Sequence, residues 1–225
     1  LVQLYREVAG QLLEAPVEVT VTDPLSGNAM QVNAGKYALD FILFMDLGDA
    51  SDLPVIPRLL YEMSQGDYRA FSWFLNKRIT NGYGINAMST NMDYSSGATA
   101  ERLELVRQQC DKSMFGGITT TPFLDLGQVW PYPQLDDNFR APLQSKIPTL
   151  ILSGTLDRNT PVAQGQRLAD QLANATHLIV EHAGHEQIIA AQGAVKTMTD
   201  FLAGDKVEDI HLSYKPLVFL PLTGP

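Results

Sequence analysis

Cysteine is nearly absent from this sequence. Cys110 is the only one in 225 residues, so neither an intrachain disulfide framework nor a multi-cysteine metal site is available. The expectation for Cys110 is a small buried thiol. Basic residues are also scarce, 16 Lys and Arg against 25 Asp and Glu, for a formal charge of -9. Such a field repels nucleic acid and anionic membrane surfaces, which excludes both as favoured partners. No run approaches the roughly 20 consecutive apolar residues of a membrane span. The most apolar short run, Leu217 to Leu222, is broken by Pro221. No His-x-x-x-His or carboxylate spacing suggests a metal, and nothing calls for a cofactor. There is no initiator Met and no signal-peptide pattern at Leu1-Val2-Gln3-Leu4, which reads as the middle of a helix, so the expectation is part of a longer product.

What is present suffices for a core, since 45% of the residues are hydrophobic. Leu1, Leu4, Val8, Leu12 and Leu13 have helical spacing up to Pro16, where a helix must stop. Val17 to Val21 alternates with period two, Asp23 to Asn28 supplies turn residues, and Met30 and Val32 resume the alternation, predicting a β-hairpin near 17–33. Residues 36–80 carry helical patterns punctuated by Gly48, Pro54, Pro57 and Gly66, which predicts several short helices. The segments Asn81 to Gly97 and Gly116 to Asn138 are rich in Gly, Ser, Thr, Asn and Pro and read as irregular, with a helical interval at Glu101 to Gln109 between them.

The pattern changes near Lys146. Ile147-Pro148-Thr149-Leu150-Ile151-Leu152 is a short apolar run bounded by Pro142 and Gly154, and His177-Leu178-Ile179-Val180 is a second; both predict parallel strands buried on both faces. Between them Thr160 is a candidate cap, Pro161 suits a first helical position, and Val162, Leu168 and Leu172 make an apolar stripe. After the second strand, Ile188, Ala191, Val195, Met198 and Leu202 predict an amphipathic helix stopped by Gly204. A β-α-β-α order implies an α/β fold with a right-handed crossover. The chain therefore divides into a mainly helical cap at 1–140 and part of an α/β core at 141–225.

Ligands of open α/β sheets gather beyond the carboxyl ends of the strands. Two candidates stand there: Asp157 after the first strand and His185 after the second, 28 positions on. Adjacent parallel strands bring these loops together, so that a carboxylate can accept from one imidazole nitrogen and leave the other as a base. Taken singly, each has an ordinary alternative, a turn-forming Asp and a lone Gly-His pair. Their order after consecutive strands carries the weight. His177, His182 and His211 read as strand or tail residues.

The stretch Ile147-Pro148-Thr149-Leu150-Ile151-Leu152-Ser153-Gly154-Thr155-Leu156-Asp157-Arg158-Asn159-Thr160-Pro161, followed by Ala183-Gly184-His185, resembles the C-terminal signature of the tripeptidyl-aminopeptidase-like and proline-iminopeptidase-like α/β-hydrolases. The preceding region is similar to their lid in Glu14-Ala15-Pro16-Val17, Gln65-Gly66-Asp67-Tyr68 and Trp130-Pro131. The resemblance implies a serine peptidase that releases residues or short peptides from substrate N-termini, with Asp157 and His185 as triad acid and base. It also implies that a lid carboxylate, here Asp93, binds the substrate's free amino group; the alternative for Asp93 is an ordinary loop residue. Members often carry a lid cysteine pair, and here Asn91 and Gly127 stand in those places. The resemblance points to a secreted or periplasmic enzyme, whereas loss of the pair fits an enzyme that does not rely on the bridge, or one from a reducing compartment such as the cytoplasm.

Such hydrolases present their serine in a Gly-x-Ser-x-Gly elbow, in the chain order Ser, acid, His. No serine here has both glycines: Ser64 and Ser95 have the trailing one, and Ser153 has only the adjacent Gly154. A Gly-rich oxyanion segment is also missing, so both are expected upstream of Leu1 or on a second chain. The leading expectation is thus the C-terminal part of a serine hydrolase acting on a peptide or other small acyl substrate, inactive alone. The alternatives are a non-catalytic interaction module and an esterase or lipase of the same fold. Two strands buried on both faces would leave an open edge, to be completed by a missing N-terminal part, by a second copy or, least favoured, by the Leu217 to Leu220 tail.

Overall fold

The structure, a computed structural model, describes residues 1–80, 87–116, 132–207 and 211–223. In chain order the elements are α1 (Val2–Glu14), β1 (Val17–Thr22), β2 (Ala29–Ala34), α2 (Lys36–Asp46), a 3-10 turn (Leu53–Val55), α3 (Ile56–Ser64), α4 (Arg69–Thr80), α5 (Ala87–Ser96) and α6 (Ala100–Lys112). Then follow β3 (Thr149–Gly154), α7 (Val162–Ala169), β4 (Ala175–Glu181), α8 (Ala194–Ala203) and β5 (Leu212–Ser213). The fold is α/β, with an antiparallel hairpin and a parallel three-stranded sheet ordered β3-β4-β5. Among the described residues no helix is long and apolar enough to cross a membrane.

The chain forms two compact units, Leu1–Phe44 with Leu59–Ala141, and Met45–Arg58 with Pro142–Pro225. In the first, β1 and β2 pair with Val19 opposite Val32 and Val21 opposite Met30. The hairpin turn closes on Asp23, whose carboxylate accepts from the Leu25 amide at 2.9 Å and the Ser26 hydroxyl at 2.7 Å. Val19 and Val21 turn their buried face toward α4, while Asn76 and Ser72 of α4 bond the Thr22 amide and the Thr20 carbonyl. Apolar burial and these cross-links set the hairpin on the helix. Residues 87–96, expected to be irregular, are helical. Their polar side chains bond within the helix: the Ser96 hydroxyl donates back to the Met92 carbonyl at 2.6 Å. Cys110 is half-buried on α6 rather than enclosed.

In the second unit β3 and β4 run parallel, with Leu152 opposite Leu178 and Gly154 opposite Val180. The first strand begins at Thr149, two residues later than expected, because Pro148 has no N–H for the ladder. Leu178, Val180, Ala183, Ala191, Ala194, Val207 and Leu212 form the core on one face, with Leu150, Leu152 and Phe201 packed against it. The strands are less enclosed than expected: β3 is only half-buried before Ser153, and Ile179 is exposed. Among the described residues the third strand is Leu212–Ser213, pairing with β4 and leaving β3 at the edge. The Leu217 to Leu220 tail is not a strand; the Leu220 amide bonds the Pro54 carbonyl at 3.2 Å.

Helix α8 corrects a sequence expectation. It begins at Ala194, after Gly193 at φ 88, and ends at Gly204. Of the expected stripe, Ala191 is buried and Ile188 packs against the core, both before the helix begins, but within the helix Val195 is 62% and Leu202 80% exposed while Ala194 and Thr197 are buried and Phe201 packs inward. The inward row is 194, 197 and 201 rather than 195, 198 and 202, one position round the helix, and apolar periodicity alone does not separate two neighbouring rows. Thr160 likewise does not cap α7, whose N-cap is Pro161 with no side-chain bond.

On the other face α7 is fastened by a chain of polar contacts. Ser153 Oγ lies 2.9 Å from His177 Nε2, and His177 Nδ1 lies 3.2 Å from Gln166 Oε1. The amide oxygen can only accept, so Nδ1 carries the proton and Nε2 accepts from the serine hydroxyl. Gly165 sits directly above: a Cβ there would lie 2.3 Å from Ser153 Oγ and 2.7 Å from His177 Nε2. Gly165→Ala should therefore destabilise the protein by about 1–3 kcal/mol through overpacking, read as a lowered urea midpoint with unchanged slope. A midpoint equal to that of the parent would show that α7 does not hold this close seat.

Candidate catalytic site

The site grows from the carboxyl ends of β3 and β4. Beyond Gly154 the two loops are laced together, with the Thr155 amide on the Val180 carbonyl at 3.1 Å and the Leu156 amide on the Ala183 carbonyl at 2.9 Å. Asp157 follows in a tight turn. Its Oδ1 accepts the amides of Asn159 at 2.8 Å and Thr160 at 3.0 Å. Its Oδ2 accepts the Thr160 hydroxyl at 2.6 Å and faces His185 Nδ1 at 2.8 Å. All four acceptor directions of the carboxylate are thereby used, at a residue only 4% exposed. Burial by itself would raise the Asp157 pKa. The hydrogen bonds from Thr160 and the hydrogen bond and charge of His185 outweigh it and hold the carboxyl below its ordinary value.

His185 is brought up by a sharp reversal after β4. His182 adopts φ 59, a left-handed conformation uncommon outside glycine, and its amide bonds Thr155 Oγ1 at 2.9 Å. Gly184 then passes so close to the backbone of Gly48 that a Cβ would lie 2.3 Å from the Gly48 carbonyl oxygen. No side chain fits there. The same carbonyl accepts the His185 amide at 3.4 Å. Gln187, buried, bridges back to this segment: its Oε1 accepts the Ala50 amide at 3.3 Å and its Nε2 donates to Asp49 Oδ1 at 3.0 Å. Residues 45–58, read from sequence as part of the cap, thus support the histidine loop. His182 and Gln187 carried no signal in the sequence beyond their nearness to the Gly-His pair, and Asp49, more than a hundred residues earlier, carried none.

The His185 side chain is 48% exposed. Among the described residues its side-chain hydrogen-bond contacts, to Asp157 and to Thr160 Oγ1 at 3.3 Å, are made through Nδ1. An imidazole oriented through Nδ1 by a buried carboxylate, in a half-exposed side chain, has the arrangement of a general base.

Asp93 lies on α5 in the first unit, exposed. It lines a groove of about 550 Å³ with Met88, Met92, Tyr132 and Phe139. Asn91 lines the same groove, whereas Gly127, Trp130 and Pro131 lie outside the described residues. Ser153, the buried serine beside His177, is covered by α7 and is not presented to a substrate.

Residues 115–212 match the family model described as TAP-like protein, an α/β-hydrolase domain. No curated protein and no solved structure matches the chain.

A carboxyl held below its unfolded value stabilises the fold above that value, about 3.9 for Asp, and the contribution is lost as pH falls through the lowered folded value. Asp157→Asn should therefore be less stable than the parent at neutral pH, with the gap closing as the solution is acidified below about pH 4. Denaturant titrations of both proteins at a series of pH values measure it; a gap that stays constant into acid would mean that the Asp157 charge is not what stabilises the loop.

Proposed function

From the C-terminal portion of a TAP-like α/β-hydrolase carried in residues 115–212, we propose that this chain supplies the acid, Asp157, and the base, His185, of a serine peptidase. The hydrogen bond of 2.8 Å between His185 Nδ1 and Asp157 Oδ2 is the observation that carries this reading. In the reaction Asp157 orients His185 and stabilises the imidazolium. His185 Nε2 takes the proton from a serine hydroxyl as its oxygen attacks the acyl carbon, then returns that proton to the departing amine.

The serine itself and its oxyanion donors are assigned to a partner segment, either an N-terminal part of the same protein or a second chain, because no elbow motif occurs in these 225 residues. Two features favour such a partner: the edge position of β3 among the described residues and the exposed apolar side chains Ile147, Val195 and Leu202 of the same unit. They are also what an interaction module would offer, which keeps that reading as the alternative. Residues 1–44 and 59–140 act as the cap. Within it Asp93 offers a carboxylate beside an apolar groove, a fit for the free amino group and first side chain of a peptide. This favours an exopeptidase acting at N-termini over an esterase.

The complete enzyme carrying Asp157→Asn should keep its circular dichroism spectrum and lose turnover by about 10⁴-fold, as in the handling of a triad base with the wrong tautomer. Near-normal turnover would assign the acid role to another carboxylate. The present chain alone should not react with a serine-directed fluorophosphonate; stoichiometric labelling abolished by His185→Ala would reveal a nucleophile inside it. Asp93→Asn should raise KM for peptides with a free N-terminus and leave N-acetylated ones unchanged, and equal effects on both would remove Asp93 from amine binding.

A further inference from the structure

Resting on the acid–base reading of Asp157 and His185, we infer that Thr160 is a positioning residue that fixes the proton of His185 on Nδ1. Thr160 touches both partners: its hydroxyl donates to Asp157 Oδ2 at 2.6 Å, and its oxygen lies 3.3 Å from His185 Nδ1. A hydroxyl has one proton. Given to the carboxylate, that proton leaves only lone pairs on Thr160 Oγ1 to face the imidazole. Nδ1 therefore meets two acceptors, Asp157 Oδ2 and Thr160 Oγ1, and no donor. A ring carrying its proton on Nε2 would set the bare Nδ1 lone pair against both oxygens, whereas the Nδ1–H form satisfies them and leaves Nε2 unprotonated, as a base requires.

Thr160 also fixes the acceptor. Backbone amides of Asn159 and Thr160 hold Oδ1, but on Oδ2 the Thr160 hydroxyl is the one donor besides the imidazole among the described contacts. Without it the carboxylate keeps its Oδ1 anchor and can turn Oδ2 away from the ring. The same residue thus contributes an amide to one carboxylate oxygen and a hydroxyl to the other. This accounts for a threonine immediately before Pro161 that does not cap α7. It touches neither substrate nor a reacting atom and acts through Asp157 and His185.

The test is long-range proton–nitrogen NMR of His185 in the present chain, at a pH where the ring is neutral, for the parent, Thr160→Val, Thr160→Ala and Thr160→Ser. The parent and Thr160→Ser should hold the Nδ1–H tautomer. Thr160→Val and Thr160→Ala should raise the Nε2–H to Nδ1–H ratio roughly two- to tenfold, the range one neutral hydrogen bond sets. Amide spectra identify folded variants, and the alanine variant covers failure of the bulkier valine to fold. Unchanged tautomer ratios in a folded Thr160→Val or Thr160→Ala protein overturn the inference, as does failure of Thr160→Ser to restore the parent ratio. A parent already in the Nε2–H form would instead sink the acid–base reading itself, so the two failures are distinguishable.

Discussion

Parallel pairing of β3 with β4, with Gly154 opposite Val180, is the constraint on which the site depends. Because the strands run the same way and end level, the chain must leave both at the same edge of the sheet. The acid loop and the histidine loop then begin side by side, and backbone bonds from Thr155 to Val180 and Leu156 to Ala183 hold them together. A slip of one residue would turn the alternating side chains to the opposite faces and separate Asp157 from His185. The hydrophobic cluster around Leu178, Val180 and Leu212, with the half-buried Leu150 and Leu152 packed against it, favours this register, since a one-residue slip would turn its strand residues to the other face.

On that base the histidine loop is fixed by backbone approach more than by side-chain packing. His182 in a left-handed conformation reverses the chain, Gly184 lies too close to Gly48 to bear a side chain, and Gln187 ties the loop to residues 49 and 50. A reversal in an unfavourable backbone region persists only where its surroundings hold it. Here the holding groups come from a segment more than a hundred residues earlier in the chain, which is why no local reading of the sequence finds them.

Several sequence expectations failed for one shared reason, that tertiary contacts reassign a residue's local preference. Thr160 has the chemistry of a helix cap, yet the Asp157 carboxylate competes for its hydroxyl and wins with a charge-assisted bond. The stripe of Val195, Met198 and Leu202 has helical periodicity, yet the core takes the neighbouring face of Ala194, Thr197 and Phe201. Residues 87–96 have a loop-like composition, yet Ser96 bonds inside a helix. In each case the residue type is compatible with two roles, and only the neighbour selects one.

The sequence by itself determined the α/β class, the hairpin, the two parallel strands and the identity of Asp157 and His185 as the residues at their carboxyl ends. Those features follow from hydrophobic period, turn residues and chain order, all of which are local. The tertiary structure decided what locality does not encode: the distance between the two groups, the third strand at Leu212–Ser213, the face by which α8 packs, and the second donor that Thr160 brings to Asp157. These depend on backbones and side chains distant in sequence meeting within a few ångströms, where hydrogen-bond geometry and close packing, rather than residue preference, set the outcome.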